Sequence, residues 1–173
     1  TFGWQVNIVD SFPEALENSH SKLKSILNRV VEKGKINEEK SIYILAAINW
    51  TSKIKEISNS NLVIEAIVEN LEIKQNLFPQ MESLVSEDCI LATNTSSLSV
   101  SKIASACKLK SRIMGIHFFN PVPLMRLVEV IPTEKTDGKL LLEVKSILEG
   151  WGKSVVTAKD TPGFIVNRVA RPF

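Results

Sequence analysis

The chain has 173 residues, enough for one well-buried α/β domain, or for one domain and the start of a second. Lys and Arg number 21 against 19 Asp and Glu, and the formal charge of +2 gives no bulk electrostatic case for nucleic acid or a membrane surface. No apolar run approaches the roughly 20 residues of a membrane span. Two cysteines with neither metal nor disulfide spacing favour a reducing compartment, by default the cytoplasm. We therefore expect a small-molecule partner.

Short apolar runs rich in Val and Ile alternate with helical patterns, which is typical of a parallel sheet with crossover helices. The predicted strands are Gln5–Val9, Ile48–Trp50, Leu62–Ala66, Ile90–Thr93, Ile113–His117, Leu127–Ile131 and Ser154–Thr157. The predicted helices are Pro13–Lys33, Leu71–Val85, Val100–Cys107 and Lys139–Trp151. The sequence thus predicts an α/β fold with a mostly parallel sheet and helices on both faces.

Both ends of the chain are unusual for a dinucleotide-binding fold. The opening "TFGWQVNIVD" looks like the part that follows the first strand, glycine turn and first helix, and Gly-x-Gly-x-x-Gly occurs nowhere. The closing "KDTPGFIVNR" predicts a loop and then a helix, with Thr161 as N-cap and Pro162 at the first position. We expect a Rossmann-like domain over residues 1–160 without its first strand, glycine turn and first helix, and the start of a second domain over residues 161–173.

Charged residues follow two of the predicted strands. Asp10 ends the first strand, where an acidic residue can bind adenosine ribose hydroxyls and repel the 2′-phosphate of NADP. The alternative is a cap for the following helix. Glu69 and Lys74 lie beyond another strand's carboxyl end, where ligands of open α/β sheets bind. Their alternative is a solvated helix start.

Polar residues follow two further strands. The loop Thr93–Ser97 can orient a substrate oxygen or a nicotinamide, although an ordinary Ser/Thr-rich helix entry explains it as well. His117 emerges at the same edge of the predicted sheet. Glu129 interrupts an otherwise apolar strand and needs a partner, because an unpaired buried charge costs several kcal/mol. We predict that Glu129 fixes the tautomer of His117, which then acts as a base, and that Asn167 adds an amide.

Four blocks of sequence together resemble the NAD-binding domain of the 3-hydroxyacyl-CoA dehydrogenases over nearly the whole chain. They are "LVIEAIVEN", "NTSSLS", "HFFNPVPLMRLVEVI" and "KDTPGFIVNR". The resemblance implies oxidation of an L-3-hydroxyacyl-CoA to the 3-ketoacyl-CoA, with hydride transfer to NAD. It implies that His117 is the general base, that Glu129 orients it, and that Ser96 and Asn167 bind the reacting oxygen.

The resemblance also implies a cofactor site, an acyl-CoA substrate, no metal ion and, in the full-length protein, a homodimer. The cofactor residues that it implies are Asp10, Ala66, Glu69, Lys74, Asn94 and Asn120. Family members carry a glycine turn before these blocks and a helical domain after them. Without those parts, we expect the chain as given to bind NAD weakly and to show no measurable dehydrogenase activity.

Two other functions remain open. One is a binding-only dinucleotide domain, and the joint presence of His117, Glu129, Ser96 and Asn167 disfavours it. The other is an NAD-dependent dehydrogenase of a hydroxy acid not attached to coenzyme A. Such an enzyme needs an arginine for the free carboxylate, and no arginine lies in an obviously suitable loop.

Overall fold

The computed structural model describes residues 2–170 and divides into two compact units, one ending at Ile57 and the other beginning at Ser58. This division differs from the predicted domain boundary between residues 160 and 161, which stays a prediction. Residues 171–173 of the predicted second domain lie outside the described residues. Within residues 2–170, no helix has the length and apolar character that a bilayer span requires.

The first unit contains two parallel strands and two helices. Its elements are β1 (Val6–Val9), α1 (Pro13–Glu32), α2 (Glu38–Ala46), β2 (Ile48–Thr51) and a 3₁₀ turn at Ile54–Ile57. Strands β1 and β2 pair in parallel. Helix α2 was not predicted. It begins after Asn37, whose side chain accepts a hydrogen bond from the Lys40 amide, so Asn37 followed by two glutamates was the available signal.

The second unit is built on a five-stranded sheet of order β3-β4-β5-β6-β7. Its elements are β3 (Leu62–Glu65), α3 (Leu71–Leu84), β4 (Ile90–Thr93), α4 (Val100–Ala104), a 3₁₀ turn (Lys110–Arg112), β5 (Ile113–Phe118), β6 (Leu127–Pro132), α5 (Gly138–Gly150), β7 (Ser154–Thr157) and α6 (Val166–Ala170). Strands β5 and β6 are antiparallel, and the other neighbours are parallel. The predicted α/β fold with a mostly parallel sheet is confirmed.

The core of the second unit lies between its central strands and α5. It contains Ile90, Ala92, Met114, Ile116, Val128, Val130, Val144 and Leu148. Gly115 on β5 permits a close approach of α4, because a Cβ at this position would lie 3.0 Å from Val100 Cγ2. Because β3, β4 and β5 pair in parallel, their carboxyl ends lie at one edge of the sheet.

The predicted start of the last helix is wrong. Thr161 is not its N-cap and Pro162 is not its first residue, since α6 begins at Val166. Gly163 and Phe164 have φ values of 74° and 49°, and this left-handed backbone cannot continue a right-handed helix. The buried Phe164 side chain, 3% exposed, belongs to a small apolar cluster with residues of α4 and β6.

Candidate active site

The residues that follow β3, β4 and β5 line a cavity of about 690 Å³ in the second unit. Its lining contains Ala66, Ile67, Glu69, Asn94, Ser96, Ser97, His117, Phe118, Phe119, Asn120, Gly163 and Asn167. The position agrees with the rule that ligands of open α/β sheets bind beyond the carboxyl ends of the strands. The predicted site residues of this unit line the cavity, with the exceptions of Lys74 and Glu129.

His117 and Glu129 form a buried pair across the antiparallel strands. They lie directly opposite each other in the register of β5 and β6. His117 Nδ1 lies 2.7 Å from Glu129 Oε2, and the two side chains are 5% and 0% exposed. Cross-strand neighbours of this kind hold their side chains in contact. The structure thus brings the two predicted residues together, and their catalytic roles stay predictions.

Glu129 also determines which ring nitrogen of His117 is available. Its Oε1 accepts hydrogen bonds from the backbone N–H groups of Ile165 and Val166, each at 2.9 Å. A carboxylate serving three donors is an acceptor throughout, so His117 Nδ1 carries the proton and donates it to Oε2. The Nε2 atom then keeps its lone pair, on a residue that lines the cavity.

Two aromatic rings flank the imidazole of His117. The centroid of the Phe119 ring lies 4.6 Å from that of His117, and the Phe164 centroid lies 5.6 Å away. These contacts restrict the rotation of the imidazole and shield it from water. Neither phenylalanine was predicted as a site residue, although Phe119 stands within the block "HFFNPVPLMRLVEVI" and Phe164 within "KDTPGFIVNR".

Glu69 orders the polar loop that follows β4. Its Oε1 accepts hydrogen bonds from Thr95 Oγ1 at 2.6 Å and from the Ser96 and Ser97 amides at 3.0 Å. Burial alone raises the pKa of Glu69, but these hydrogen bonds and the Lys74 charge outweigh it and hold the pKa below its ordinary value. Glu69 is therefore ionised at neutral pH and acts as an acceptor.

Asparagine side chains connect the elements around the cavity. Asn94 Oδ1 accepts a hydrogen bond from the Phe118 amide at 3.0 Å, which links the ends of β4 and β5. Asn167 Nδ2 donates to the Ser96 carbonyl oxygen at 3.4 Å. Ser96 and Asn167, the residues predicted to bind the reacting oxygen, are therefore in contact.

Lys74 takes a position that the sequence did not indicate. Its side chain is 1% exposed, and Nζ lies 2.5 Å from Glu65 Oε1 and 3.7 Å from Glu69 Oε2. Glu65 was not predicted as a site residue. Lys74 thus does not line the cavity but lies behind Glu69, and its predicted role in cofactor binding stays a prediction.

Asp10 belongs to the first unit and makes a local contact there. Its Oδ1 accepts a hydrogen bond from the Phe12 amide at 2.9 Å, immediately before α1. Helix α1 itself begins without a side-chain cap, so Asp10 stabilises the preceding turn rather than the helical N–H groups. The predicted ribose contact stays a prediction.

The chemistry of the cavity lining fits the nicotinamide riboside part of NAD. The lining residues supply amide, hydroxyl and backbone groups and one carboxylate, and they include no lysine or arginine. Amides and a carboxylate can pair with a carboxamide and with ribose hydroxyls, whereas the Glu69 carboxylate would repel a phosphate. Within residues 2–170, no group of three His, Cys, Asp or Glu side chains is placed to hold a metal ion.

The family model and the similar curated proteins indicate the same family. Residues 1–161 match the family model for the NAD binding domain of 3-hydroxyacyl-CoA dehydrogenase. A probable 3-hydroxybutyryl-CoA dehydrogenase of Bacillus subtilis is 39% identical, over 98% of this chain and 59% of that protein. The 3-hydroxyadipyl-CoA dehydrogenase of Escherichia coli is 39% identical, over 99% of this chain and 36% of that protein.

A solved structure extends this similarity to the backbone. The crystal structure of 3-hydroxybutyryl-CoA dehydrogenase from Escherichia coli K12 superposes with a TM-score of 0.96 at 39% identity. The match covers 99% of this chain and 36% of that one. The chain therefore spans between 36% and 59% of the length of these relatives.

Proposed function

Because the chain belongs to the family of 3-hydroxyacyl-CoA dehydrogenase NAD-binding domains, we propose that the protein oxidises an L-3-hydroxyacyl-CoA to the 3-ketoacyl-CoA. NAD is the cofactor of this family, as the sequence predicted. The observation that carries the proposal is the 2.7 Å contact between His117 Nδ1 and Glu129 Oε2 at the cavity. It leaves Nε2 with the lone pair that a general base requires.

In the proposed reaction, His117 removes the proton from the C3 hydroxyl group. Its Nε2 accepts that proton, and the positive charge that forms on the imidazole is stabilised by the Glu129 carboxylate on the other side of the ring. The Ile165 and Val166 amides hold Glu129 in place during the transfer. NAD, when bound, supplies the acceptor for the hydride that leaves C3.

The oxygen of the substrate needs hydrogen-bond donors as its bond to C3 becomes a carbonyl. We assign this role to Ser96 and Asn167, and their mutual contact and their position in the cavity lining support the assignment. Phe119 and Phe164 exclude water from the imidazole.

A further set of residues would hold the cofactor. They are Ala66, Glu69, Asn94 and Asn120 in the cavity lining, Lys74 behind Glu69, and Asp10 for the adenosine ribose. The first four would contact the nicotinamide riboside part, in keeping with the uncharged donors and the single carboxylate of the lining.

The charge of the lining favours a thioester over a free hydroxy acid. A free carboxylate would need a cationic partner, and the described lining offers only a histidine that the reaction itself uses. The relatives reported above are named for acyl-CoA substrates. A binding-only protein has no use for a buried His–Glu pair that leaves one nitrogen facing a cavity.

We also propose a homodimer in the cytoplasm. Exposed apolar side chains on and beside α6 support a further contact surface, with Ile165 42% and Val169 74% exposed. A reducing compartment is supported by two free, buried thiols. Burial, as the largest influence, raises the pKa of Cys89 to about 11 and that of Cys107 to about 12, so neither thiol is poised to react.

An absorbance assay of the purified full-length protein tests the proposed reaction, since the chain as given is expected to show no measurable activity. With acetoacetyl-CoA and NADH, we expect consumption of NADH at a rate near the ~10 s⁻¹ of a typical enzyme. Acetoacetate without coenzyme A should give at most a hundredth of that rate. Equal rates with both substrates would favour the free-acid enzyme, and NAD binding without turnover of either would favour the binding-only domain.

A further inference from the structure

We propose that Glu65, the last residue of β3, is a positioning residue of the candidate active site. Glu65 pairs with Lys74, and Lys74 pairs with Glu69. Glu69 in turn accepts hydrogen bonds from the Thr95–Ser97 loop, which contains Ser96. The inference rests on the proposed function, because the loop affects turnover only if Ser96 contacts the reacting oxygen. Neither Glu65 nor its route to the loop was indicated by the sequence.

Glu65 is buried and joins three elements at the edge of the sheet. It is 4% exposed, and its Oε1 accepts hydrogen bonds from Lys74 Nζ at 2.5 Å and from the Ile67 amide at 2.7 Å. Its Oε2 accepts from Thr93 Oγ1 at 2.7 Å. The Glu65 backbone carbonyl accepts from the Asn94 amide at 2.7 Å. One residue therefore connects β3, the first turns of α3 and the end of β4.

Stability alone does not explain a buried ion pair at this place. Removing two charges from water costs several kcal/mol per ion, and replacing such a pair by neutral groups is often neutral or stabilising. The chain instead keeps Glu65 and Lys74, both at 4% exposure or less, directly behind the cavity-lining Glu69. Their position points to a role in geometry.

Lys74 lies between two carboxylates of unequal exposure. Its Nζ is 2.5 Å from the buried Glu65 and 3.7 Å from Glu69, whose side chain is 39% exposed. The short contact keeps the ammonium away from Glu69 Oε1, and that oxygen is free to accept from Thr95, Ser96 and Ser97. If Glu65 lost its charge, the ammonium would turn to Glu69 and compete with the loop for its oxygens.

Two variants of the full-length protein separate positioning from stability. Glu65→Gln keeps an oxygen for the Ile67 amide but removes the charge of the nearer of the two carboxylates that pair with Lys74. It should therefore lower thermal stability, kcat and loop order together. The double variant Glu65→Gln/Lys74→Met removes both charges and should recover thermal stability. It should not recover kcat, because Glu69 Oε2 has then lost the cation that fixes the orientation of the carboxylate, although Oε1 no longer faces a competing ammonium.

Hydrogen exchange and kinetics provide the two readouts. In both variants we expect the Ser96 and Ser97 amides to exchange at least ~10-fold faster than in the unmutated protein, whereas amides of β5 keep their rates. We expect kcat with acetoacetyl-CoA and NADH to fall about 10-fold to 100-fold, as for a small misplacement of reacting groups. The KM for acetoacetyl-CoA should change little.

Glu82→Gln is a matched control in the same unit. Glu82 also pairs with a buried cation, Arg112 at 3.8 Å, and accepts from the Lys108 and Leu109 amides, but it does not line the cavity. The Glu82→Gln variant should have faster amide exchange at residues 108–109. It should leave kcat and the exchange rates of the Ser96 and Ser97 amides unchanged. An equal effect of this control on the loop would overturn the proposal.

Two further outcomes would overturn the proposal. One is unchanged exchange at Ser96 and Ser97 in Glu65→Gln, and the other is recovery of kcat together with thermal stability in the double variant. If the unmutated full-length protein has no dehydrogenase activity, the proposed reaction fails. The exchange comparison then still decides whether Glu65 fixes the loop.

Discussion

Single carboxylates organise the candidate site by serving several donors each. Glu129 accepts from His117 with one oxygen and from two backbone amides with the other. Glu69 accepts from three successive residues of one loop. Because each donor belongs to a different residue, a carboxylate with this many partners leaves little freedom to the groups around it. Removing one charge therefore disturbs several groups together.

In the full-length protein, His117→Gln should lower kcat at least ~10²-fold with little change in NAD affinity, because glutamine cannot accept the hydroxyl proton. Steady-state kinetics with acetoacetyl-CoA and NADH, together with calorimetric titration of NAD, measure the two effects. Thermal melting controls for loss of fold. More than a tenth of the unmutated turnover in the variant would remove His117 from the role of base.

Glu129→Gln should also lower kcat at least ~10²-fold although the imidazole remains, because the tautomer changes. An amide group cannot serve all three donors: with its oxygen toward the Ile165 and Val166 amides, its NH₂ faces His117 Nδ1. The Nε2 atom then carries the proton and cannot accept another. The tautomer can be observed by ¹⁵N NMR of the imidazole, and a fully active variant with an unchanged tautomer would contradict the argument.

For single residues, sequence patterns predict that some carboxylates belong to the site and miss others. Glu129 was predictable as a site residue, because a charge within an apolar strand needs a partner. Glu65 was not, because it ends β3, and a glutamate at the end of a strand is usually solvated. Its burial follows from Lys74 and Thr93, which lie 9 and 28 residues away along the chain.

Among the elements, helix α4 depends on a cap from a distant part of the chain. Asp160, in the segment between β7 and α6, accepts hydrogen bonds from the Val100 and Ser101 amides at 2.8 Å and from Ser99 Oγ at 3.0 Å. Burial raises the pKa of Asp160, but the Ser101, Val100 and Ser99 hydrogen bonds outweigh it, and the pKa lies below its ordinary value. The cap attaches this segment to α4.

Asp160→Asn should destabilise the fold by about 1 kcal/mol at pH 7, the usual size of a lost charged cap. A depressed pKa in the folded state stabilises the fold above the unfolded value of about 4, and the contribution is lost as the pH falls through the folded pKa. Urea denaturation measures the free energy of unfolding of the unmutated protein and of Asp160→Asn. The difference between these two free energies should therefore shrink from pH 7 to pH 3. A difference in the free energy of unfolding that stays constant over this range would show that the charge of Asp160 does not contribute to stability.

The strands were predictable because each is a short apolar run between turn residues, and every predicted strand is found within one residue at either end. The helices were less predictable than the strands. Helix α2 has a polar first turn that resembles a loop, and its cap shows only in the Asn37 contact. The start of α6 was misplaced because Thr161 and Pro162 form a good local start signal, which the left-handed backbone at Gly163 and Phe164 overrides.

At the scale of the whole molecule, the sequence patterns did not predict how all the strands are connected or in which direction each pair runs. An alternation of strands and helices predicts a parallel sheet, but β5 and β6 are joined without a helix and pair antiparallel. That one reversal places Glu129 opposite His117. The sequence could therefore suggest that the two residues meet, whereas the register that brings them together is a property of the sheet.

The residue that we propose for the choice of cofactor, Asp10, lies in a different unit from the residues of the proposed reaction. Asp10 follows β1 in the first unit, and one of its oxygens accepts from the Phe12 amide. This contact holds the carboxylate in a defined turn and leaves the second oxygen available for a ribose hydroxyl. Its negative charge is the feature that would distinguish NAD from NADP, because the 2′-phosphate of NADP would meet a like charge.

The unmutated full-length protein should therefore prefer NAD to NADP, and Asp10→Ala should narrow the ratio of the two kcat/KM values about 10-fold or more. Asp10→Asn is the matched variant, since its side-chain oxygen can keep the Phe12 contact while the charge is lost. If the charge of Asp10 determines the preference for NAD, both variants should narrow the ratio of the kcat/KM values to the same extent. If only the turn matters, Asp10→Asn keeps the original ratio. Equal kcat/KM values for both cofactors in the unmutated protein would contradict the ribose assignment, because an intact carboxylate would then exert no repulsion on the 2′-phosphate.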